Sequence, residues 1–381
     1  ARLLQDAGYA TRLIGKWHCG DQPEFLPTQH GFDGWFGLPY SNDMGRQALP
    51  EGQPPLRQLI ADLGLDIPED SPILRERPPL PLMLDTDVLE QQPDQAALTE
   101  RYLEDAVEFI RANSDRPFFL YLAHMYVHLP IYVQDRFLQD SRNGRYGAAV
   151  RYIDWSTEVL LAELRSLGLD EDTVVVFTSD NGALIREGGG SNGPLRASKG
   201  TTWEGGQRVP CIIRWPGTVP AGGVLPDVVN AMDLYPTIAG WCGVDVPDDR
   251  ILDGRDLGEL LTGGEAPEEQ PFFYIMGGNI EAVRVGRWKL HVRKRDEEQL
   301  RLYDLEADIG ESHDVVNEHP AVVADLLALI KRGRLDLGDD ATDTVGAGVR
   351  PVGRVEDPVM LTTFDPEQPY FMAEYDLTDR G

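Results

Sequence analysis

The chain has 381 residues, 41% of them hydrophobic, enough to bury one large core and a smaller one. Lys and Arg number 35 against 64 Asp and Glu, a formal net charge of −29 that tells against a nucleic-acid partner; a small anion held by a few enclosed cations stays compatible with it. The longest apolar runs, such as FFLYLA at 118–123, are too short to span a bilayer, and the three cysteines (Cys19, Cys211, Cys242) form no metal-binding pair.

The first strand is predicted in YATRLIGKWH, an apolar run that carries into Lys16 and His18. The proline- and charge-rich stretch within 45–95 reads as a surface insertion bordering a cleft. Helical spacing of Leu98, Tyr102, Ala106, Phe109 and Ile110 predicts a helix over 96–113. A second strand follows in RPFFLYLAHMYVHLP, and a second helix over 146–167 closes at Gly168. DTVVVFTSDNGA and RVPCIIRWPG are the third and fourth strands, and DLYPTIAGWCG is a short helix containing proline. Strands alternating with helices predict an α/β architecture with a mainly parallel central sheet flanked by helices, built from residues 1–264. Beyond residue 265, PFFYIMGGN, IEAVRVGRWKLHVRK and LRLYDLEAD alternate like an antiparallel meander, followed by a helix at 320–333 and an extended tail. Residues 265–381 are therefore expected to form a smaller C-terminal subdomain.

Ligands of parallel sheets bind beyond the carboxyl ends of the strands, and the chemically capable residues fall there. Lys16 and His18, two apart in an extended segment, would face one space. Asp180 and Asn181 offer hard oxygen ligands suited to calcium or magnesium, although Asp-Asn-Gly is also an ordinary turn. Lys199, in LRASKGTTWEGGQRVP, lies beside glycine with a Gly-Gly pair following, which suits backbone and ammonium approaching an oxyanion; a solvated loop lysine is the plainer alternative. His128 could protonate a leaving group, whereas His124 reads as a core histidine. Ser41 and Asn42 could line a pocket or make a turn. Each has an ordinary structural explanation when taken alone. Two lysines, two histidines and an Asp-Asn pair, each ending an apolar strand, together suit an anionic ester held by cations and a divalent metal.

GYATRLIGKWHCG, HGFDGWFGLPYSND, FTSDNGA and SKGTTWEGGQRVPCIIRWPG, in that order, resemble the type I sulfatases of the alkaline phosphatase superfamily, the arylsulfatase A-like branch most of all. The likeness continues through LYPTIAG, LDGRDL, VRVGRWKLH and LYDLEADIGE. It implies hydrolysis of sulfate monoesters, with Lys16 and Lys199 gripping sulfate oxygens. It also implies His18 as the base that releases sulfate and His128 beside the leaving oxygen. Ser41, Asn42 and His291 would contact substrate, and Asp180 and Asn181 would supply half of a calcium site, calcium being favoured over magnesium. Asn42 stands where close relatives often carry histidine. The family's nucleophile is a formylglycine made within a Cys-x-Pro/Ala-x-Arg motif. No cysteine or serine here fits that motif, so the expectation is a chain that begins after the nucleophile and is inactive as given. A phosphodiesterase or phosphonate monoester hydrolase of the same superfamily, and a non-catalytic binder of sulfated glycans, are the alternatives. A sulfated small molecule or glycan is the expected partner, in a periplasmic, secreted or lysosomal setting.

Overall fold

The computed structural model describes residues 1–46, 77–185 and 190–370. Most of the predicted 45–95 insertion lies outside these residues. The chain divides into two compact units. The first is Ala1–Asp170 together with the C-terminal segment from Gly353; the second is Glu171–Ile185 and Gly189–Val352. The boundary expected near 264 falls inside the second unit.

In the first unit the strands β1 (Ala10–Gly15), β2 (Gly34–Gly37), β3 (Pro81–Leu84), β4 (Asp87–Gln91) and β5 (Phe118–Ala123) form one sheet in the order β4-β3-β2-β1-β5. β1 pairs in parallel with both β2 and β5, Leu13 standing opposite Trp35 on one side and Tyr121 on the other. The β3–β4 hairpin, the described end of the insertion, extends the sheet in antiparallel fashion. Central β1 is buried almost throughout, with Leu13 and Trp35 in one apolar cluster, because a strand flanked on both edges and covered on both faces must be apolar along its length. The helix Leu98–Ala112 buries Leu98, Tyr102, Ala106 and Ile110, as its spacing predicts. A bidentate ion pair from Arg12 on β1 to Asp105, at 2.6 Å for each bond, ties this helix to the sheet. The long helix Gly144–Ser166 ends before Gly168, whose φ of +72° is readily available to glycine.

In the second unit the third and fourth predicted strands, β6 (Val175–Thr178) and β7 (Cys211–Arg214), form an antiparallel pair of their own rather than members of the parallel sheet. Their β-branched runs also lie more open than expected: Phe177 is 40% exposed and Ile212 62%. The meander is realised as β8 (Phe272–Met276), β9 (Asn279–Val285), β10 (Trp288–Lys294) and β11 (Glu297–Asp304), in the order β11-β10-β9-β8. One face of it packs Val283, Leu290 and Leu302 against Val323, Leu326 and Ile330 of the helix Pro320–Leu337. The opposite face carries Arg284, Lys289, His291 and Tyr303, in register across the strands. Alternation of this kind usually leaves the polar face in water. Here Lys289 and His291 are fully buried.

The tail turns back to the first unit. The Val359 amide and carbonyl bond the Gln22 side chain at 2.8 and 3.0 Å, and the Thr362 hydroxyl donates to the Pro79 carbonyl at 2.6 Å. Among the described residues, no helix is long and apolar enough to cross a membrane.

Candidate active site

The candidate residues fall into two groups, one in each unit. In the first unit, Lys16, Ser41 and His128 follow the carboxyl ends of the adjacent parallel strands β1, β2 and β5. Gly15 (φ +104°) lets β1 run against its neighbour, since a Cβ there would stand 1.8 Å from the Ala123 carbonyl oxygen. Beyond it the chain is held from both sides. The Lys16 amide donates to Ala123 at 2.9 Å, and the Trp17 and His18 amides donate to Leu38 and Pro39 at 2.9 Å each. The extended geometry stops there: His18 adopts φ +56° and is exposed, so Lys16 and His18 are not the same-face pair that their spacing predicts.

Ser41 is buried and donates to Asp43 at 2.5 Å. Asn42 is enclosed, its amide donating to Gln95 Oε1 at 2.8 Å and to the Pro130 carbonyl at 2.9 Å. His128 is half-buried, and its Nδ1 donates to the Leu129 carbonyl at 2.6 Å. His124 is the core histidine expected: Nε2 meets the Ser156 hydroxyl at 3.2 Å, and burial pushes the ring down to about 4.

In the second unit, Asp180 and Asn181 leave the end of β6, Asp180 exposed and Asn181 half-buried. The Lys199 segment lies directly beside them. The Lys199 amide donates to Ala183 at 3.3 Å and the Gly182 amide to Gly206 at 3.1 Å. Asn192 clamps both segments, its side chain accepting from the Ala183 amide at 2.8 Å and donating to the Ala183 and Ala197 carbonyls at 2.7 and 3.0 Å. Gly182 and Gly205 are required by this crossing. A Cβ on Gly182 would lie 1.8 Å from the Gly205 carbonyl oxygen, and one on Gly205 would lie 2.4 Å from that of Arg196.

Under the Lys199 loop lies the ionic face of the C-terminal sheet, of which sequence reasoning named only His291, as a substrate contact; the ring is instead fully buried against Glu311. Lys289 Nζ meets Glu204 Oε1 at 2.8 Å, Glu311 Oε1 at 2.9 Å and the Thr202 carbonyl at 2.9 Å. Burial pushes the Glu204 carboxyl up, but Lys289 and Arg284 with their hydrogen bonds outweigh it and hold the group below its ordinary value. Glu311 is likewise held low, burial being overcome by His291 and Lys289. His291 sits at 3.1 Å from Glu311 and packs on Trp203 with ring centroids 4.5 Å apart. Burial is the main cause of its shift down to about 4. The only signal of this network in the sequence is the period of two that puts Lys289 and His291 on one face.

Asp180 and Asn181 present one carboxylate and one amide oxygen, a donor pair that fits a hard divalent cation and is too small to complete its shell. Among the described residues no group of three His, Cys, Asp or Glu side chains could hold a metal.

The first unit is thus an α/β sheet with Lys16, His18 and His128 following its parallel strand ends, and the second carries a loop lysine beside an Asp-Asn pair. The chain belongs to the sulfatase family: the Sulfatase model matches residues 1–244, and the model "N-sulphoglucosamine sulphohydrolase, C-terminal" matches residues 198–334. A divalent metal and a formylglycine go with that family in general. The chain is 40% identical to dog (Canis lupus familiaris) N-acetylgalactosamine-6-sulfatase over 303 residues, covering 76% of this chain and 53% of that protein. It is 33% identical to human arylsulfatase A over 393 residues, covering 94% of this chain and 75% of that one. The chain thus spans about half the length of several curated relatives it matches. Among solved structures, Ps i-CgsB in complex with k-i-k-neocarrahexaose aligns with a TM-score of 0.71 at 29% identity, covering 91% of this chain and 74% of that one. The PsFucS1 sulfatase from Pseudoalteromonas sp. aligns at 0.73 and 26%, covering 87% and 71%. A phosphonate monoester hydrolase from Silicibacter pomeroyi, at 0.56 and 19%, shares the fold.

Proposed function

We propose that the protein hydrolyses sulfate monoesters and that its substrates are sulfated sugars. The observation that carries this reading is the set of polar residues following three adjacent parallel strands, in a chain whose similar proteins are named for sulfate ester hydrolysis. Lys16 and Lys199 each bind sulfate oxygens and offset the charge that builds on them as the attacking oxygen, which in this family a formylglycine would supply, bonds to sulfur and the ester S–O bond breaks. His128, whose Nδ1 donates to the Leu129 carbonyl, delivers a proton to the departing sugar oxygen. His18, exposed on a left-handed turn, accepts a proton when sulfate is released. Ser41 borders the site. The enclosed amide of Asn42 and the enclosed ring of His291 support framing roles in place of direct contact with sugar. Asp180 and Asn181 would hold the divalent ion, calcium in preference to magnesium because Ca2+ tolerates irregular oxygen shells. When bound, that ion would neutralise charge on the ester.

The test is turnover by the protein expressed from its complete reading frame. Substrates would be 4-nitrophenyl sulfate and 6-sulfated N-acetylgalactosamine, each with and without chelator. Sulfate release that stops on chelation and falls at least 100-fold in K16A and K199A is the expected result. Faster cleavage of a phenylphosphonate ester would move the protein to the other branch of the superfamily. Binding of sulfated sugar without turnover would make it a binding protein.

A further inference from the structure

Lys199 sits on a loop, and loops place a charge loosely unless something enclosed holds them. The loop on either side of it is pinned at three points, one through a side chain and two through the backbone. Arg196 donates from Nη1 to the Glu311 carbonyl at 2.6 Å and lies 3.7 Å over the Trp203 ring. The Thr202 carbonyl accepts from Lys289, and the Glu204 amide donates to Glu311 Oε2 at 2.8 Å. Glu311 is thus the hub: its backbone oxygen, Oε1 and Oε2 all bind groups of, or beneath, the loop that carries Lys199. Glu311 is fully buried and sits at φ +51°, a left-handed conformation that a non-glycine residue keeps only where its surroundings impose it. A second layer repeats the arrangement. Lys294 lies 4.0 Å over Trp203 from the sheet and bonds the Thr202 hydroxyl, which in turn donates to Glu281. Three carboxylates (Glu204, Glu281, Glu311) pair with three cations (Arg284, Lys289, Lys294), and Arg196 adds a fourth cation above Trp203. A sheet face needing only stability could be apolar at no loss, since buried ion pairs often stabilise less than hydrophobic replacements. What an ionic face adds is a single docking register for the loop.

We propose that Glu311 and Lys289 are positioning residues for Lys199: the ionic face of the C-terminal sheet docks the loop 196–204 in one register and so sets where the Lys199 ammonium meets an anionic ester. This rests on the sulfate-binding role given above to Lys199. It assigns the second unit's antiparallel sheet a part in substrate handling that is exerted through the loop it holds.

The test is a double-mutant cycle on 4-nitrophenyl sulfate turnover by the protein from its complete reading frame, with E311Q, K199A and the combined variant. E311Q is expected to lower kcat/KM at least 10-fold in the wild-type background and less than 2-fold when Lys199 is already alanine, with E311D recovering part of the loss. Equal fold losses in both backgrounds would show a merely structural role and overturn the proposal. Should E311Q not fold, E311Q/K289M removes one charge of each sign and leaves Glu204 its Arg284 and Tyr274 partners. The same cycle applies to it. Amide exchange in the 381-residue chain is read in parallel: exchange at Lys199 and Gly205 should quicken at least 10-fold in E311Q or in E311Q/K289M. Unchanged protection overturns the proposal whether or not turnover is seen. If K199A itself leaves sulfate release intact, it is the role of Lys199 that fails, and the positioning proposal falls with it even where exchange responds.

Discussion

Lys289 is a fully buried ammonium whose three bonds go to Glu204, Glu311 and the Thr202 carbonyl. Removing it takes the buried cation from Glu311 and one of two cations from Glu204, so K289M is expected to destabilise the protein by about 3 kcal/mol in urea unfolding. K199A, on a half-buried loop residue, should stay within roughly 0.5 kcal/mol in the same measurement. The contrast between the two lysines separates scaffold from site. His291 makes a pH prediction. Its ring is held near 4 against an ordinary 6.5, chiefly by burial. Between those pH values the unfolded chain binds a proton that the folded chain refuses, so stability is full above about 6.5 and falls as pH drops toward 4. His124 adds the same dependence in the first unit. Glu204 and Glu311, both held low, add theirs below the ordinary carboxylate range. Urea unfolding of H291Q between pH 4 and 7 should show a shallower dependence than the wild type. An equal slope would mean that His291 is not held neutral.

The loop from Asn192 to Gln207 shows how an element can be irregular and still be rigid. It has one turn of helix, Glu204–Gln207, and its order comes from the Asn192 clamp and from backbone crossings that only glycine permits. G205A puts a Cβ 2.4 Å from one carbonyl oxygen and 2.5 Å from another, and cannot be accommodated without moving Arg196 or Ala197. It should cost about 1–3 kcal/mol. It should also free the Gly205-position amide, now bonded to Arg196 at 2.8 Å, for faster exchange. Protection unchanged from wild type would show that the crossing is loose. The C-terminal sheet teaches a related lesson. VRVGRWKLHVRK alternates as a half-wet strand pair should, yet both faces are covered, one by a helix and the other by charged partners.

Across the two units, the tail is the long-range connection that the linear order hides. Leu361 packs on the Leu13–Trp35 cluster and Thr362 is buried on Pro79, so the first unit depends on residues that follow the whole of the second. Truncation after Val352 should therefore weaken the first unit by about 2 kcal/mol, from the lost apolar contact and hydrogen bonds. Exchange at Ala10–Gly15 is expected to rise, with β9 and β10 unaffected. Equal loss in both sheets would contradict that assignment. The net charge of −29 acts on the molecule as a whole, and self-repulsion of that size predicts a melting temperature that rises as salt is added from low ionic strength.

Local pattern was enough for the α/β class, the helices at 98–112 and 144–166, the antiparallel meander and the family resemblance. Each of these depends on residues close in sequence, or on motifs whose order survives without coordinates. The residues following the ends of β1, β2 and β5 were legible for the same reason, because an apolar run breaking into polar residues marks a strand end. Three features were decided only by tertiary structure. The antiparallel pairing of β6 with β7 is a choice of partner, and a β-branched run is equally suited to either direction. His18 left the extended geometry because hydrogen bonds to β2's continuation turned the chain. The network around Glu311 was invisible because its members, from Arg196 to Glu311, are far apart in sequence, and a charged residue announces burial only when its counter-charge is in view.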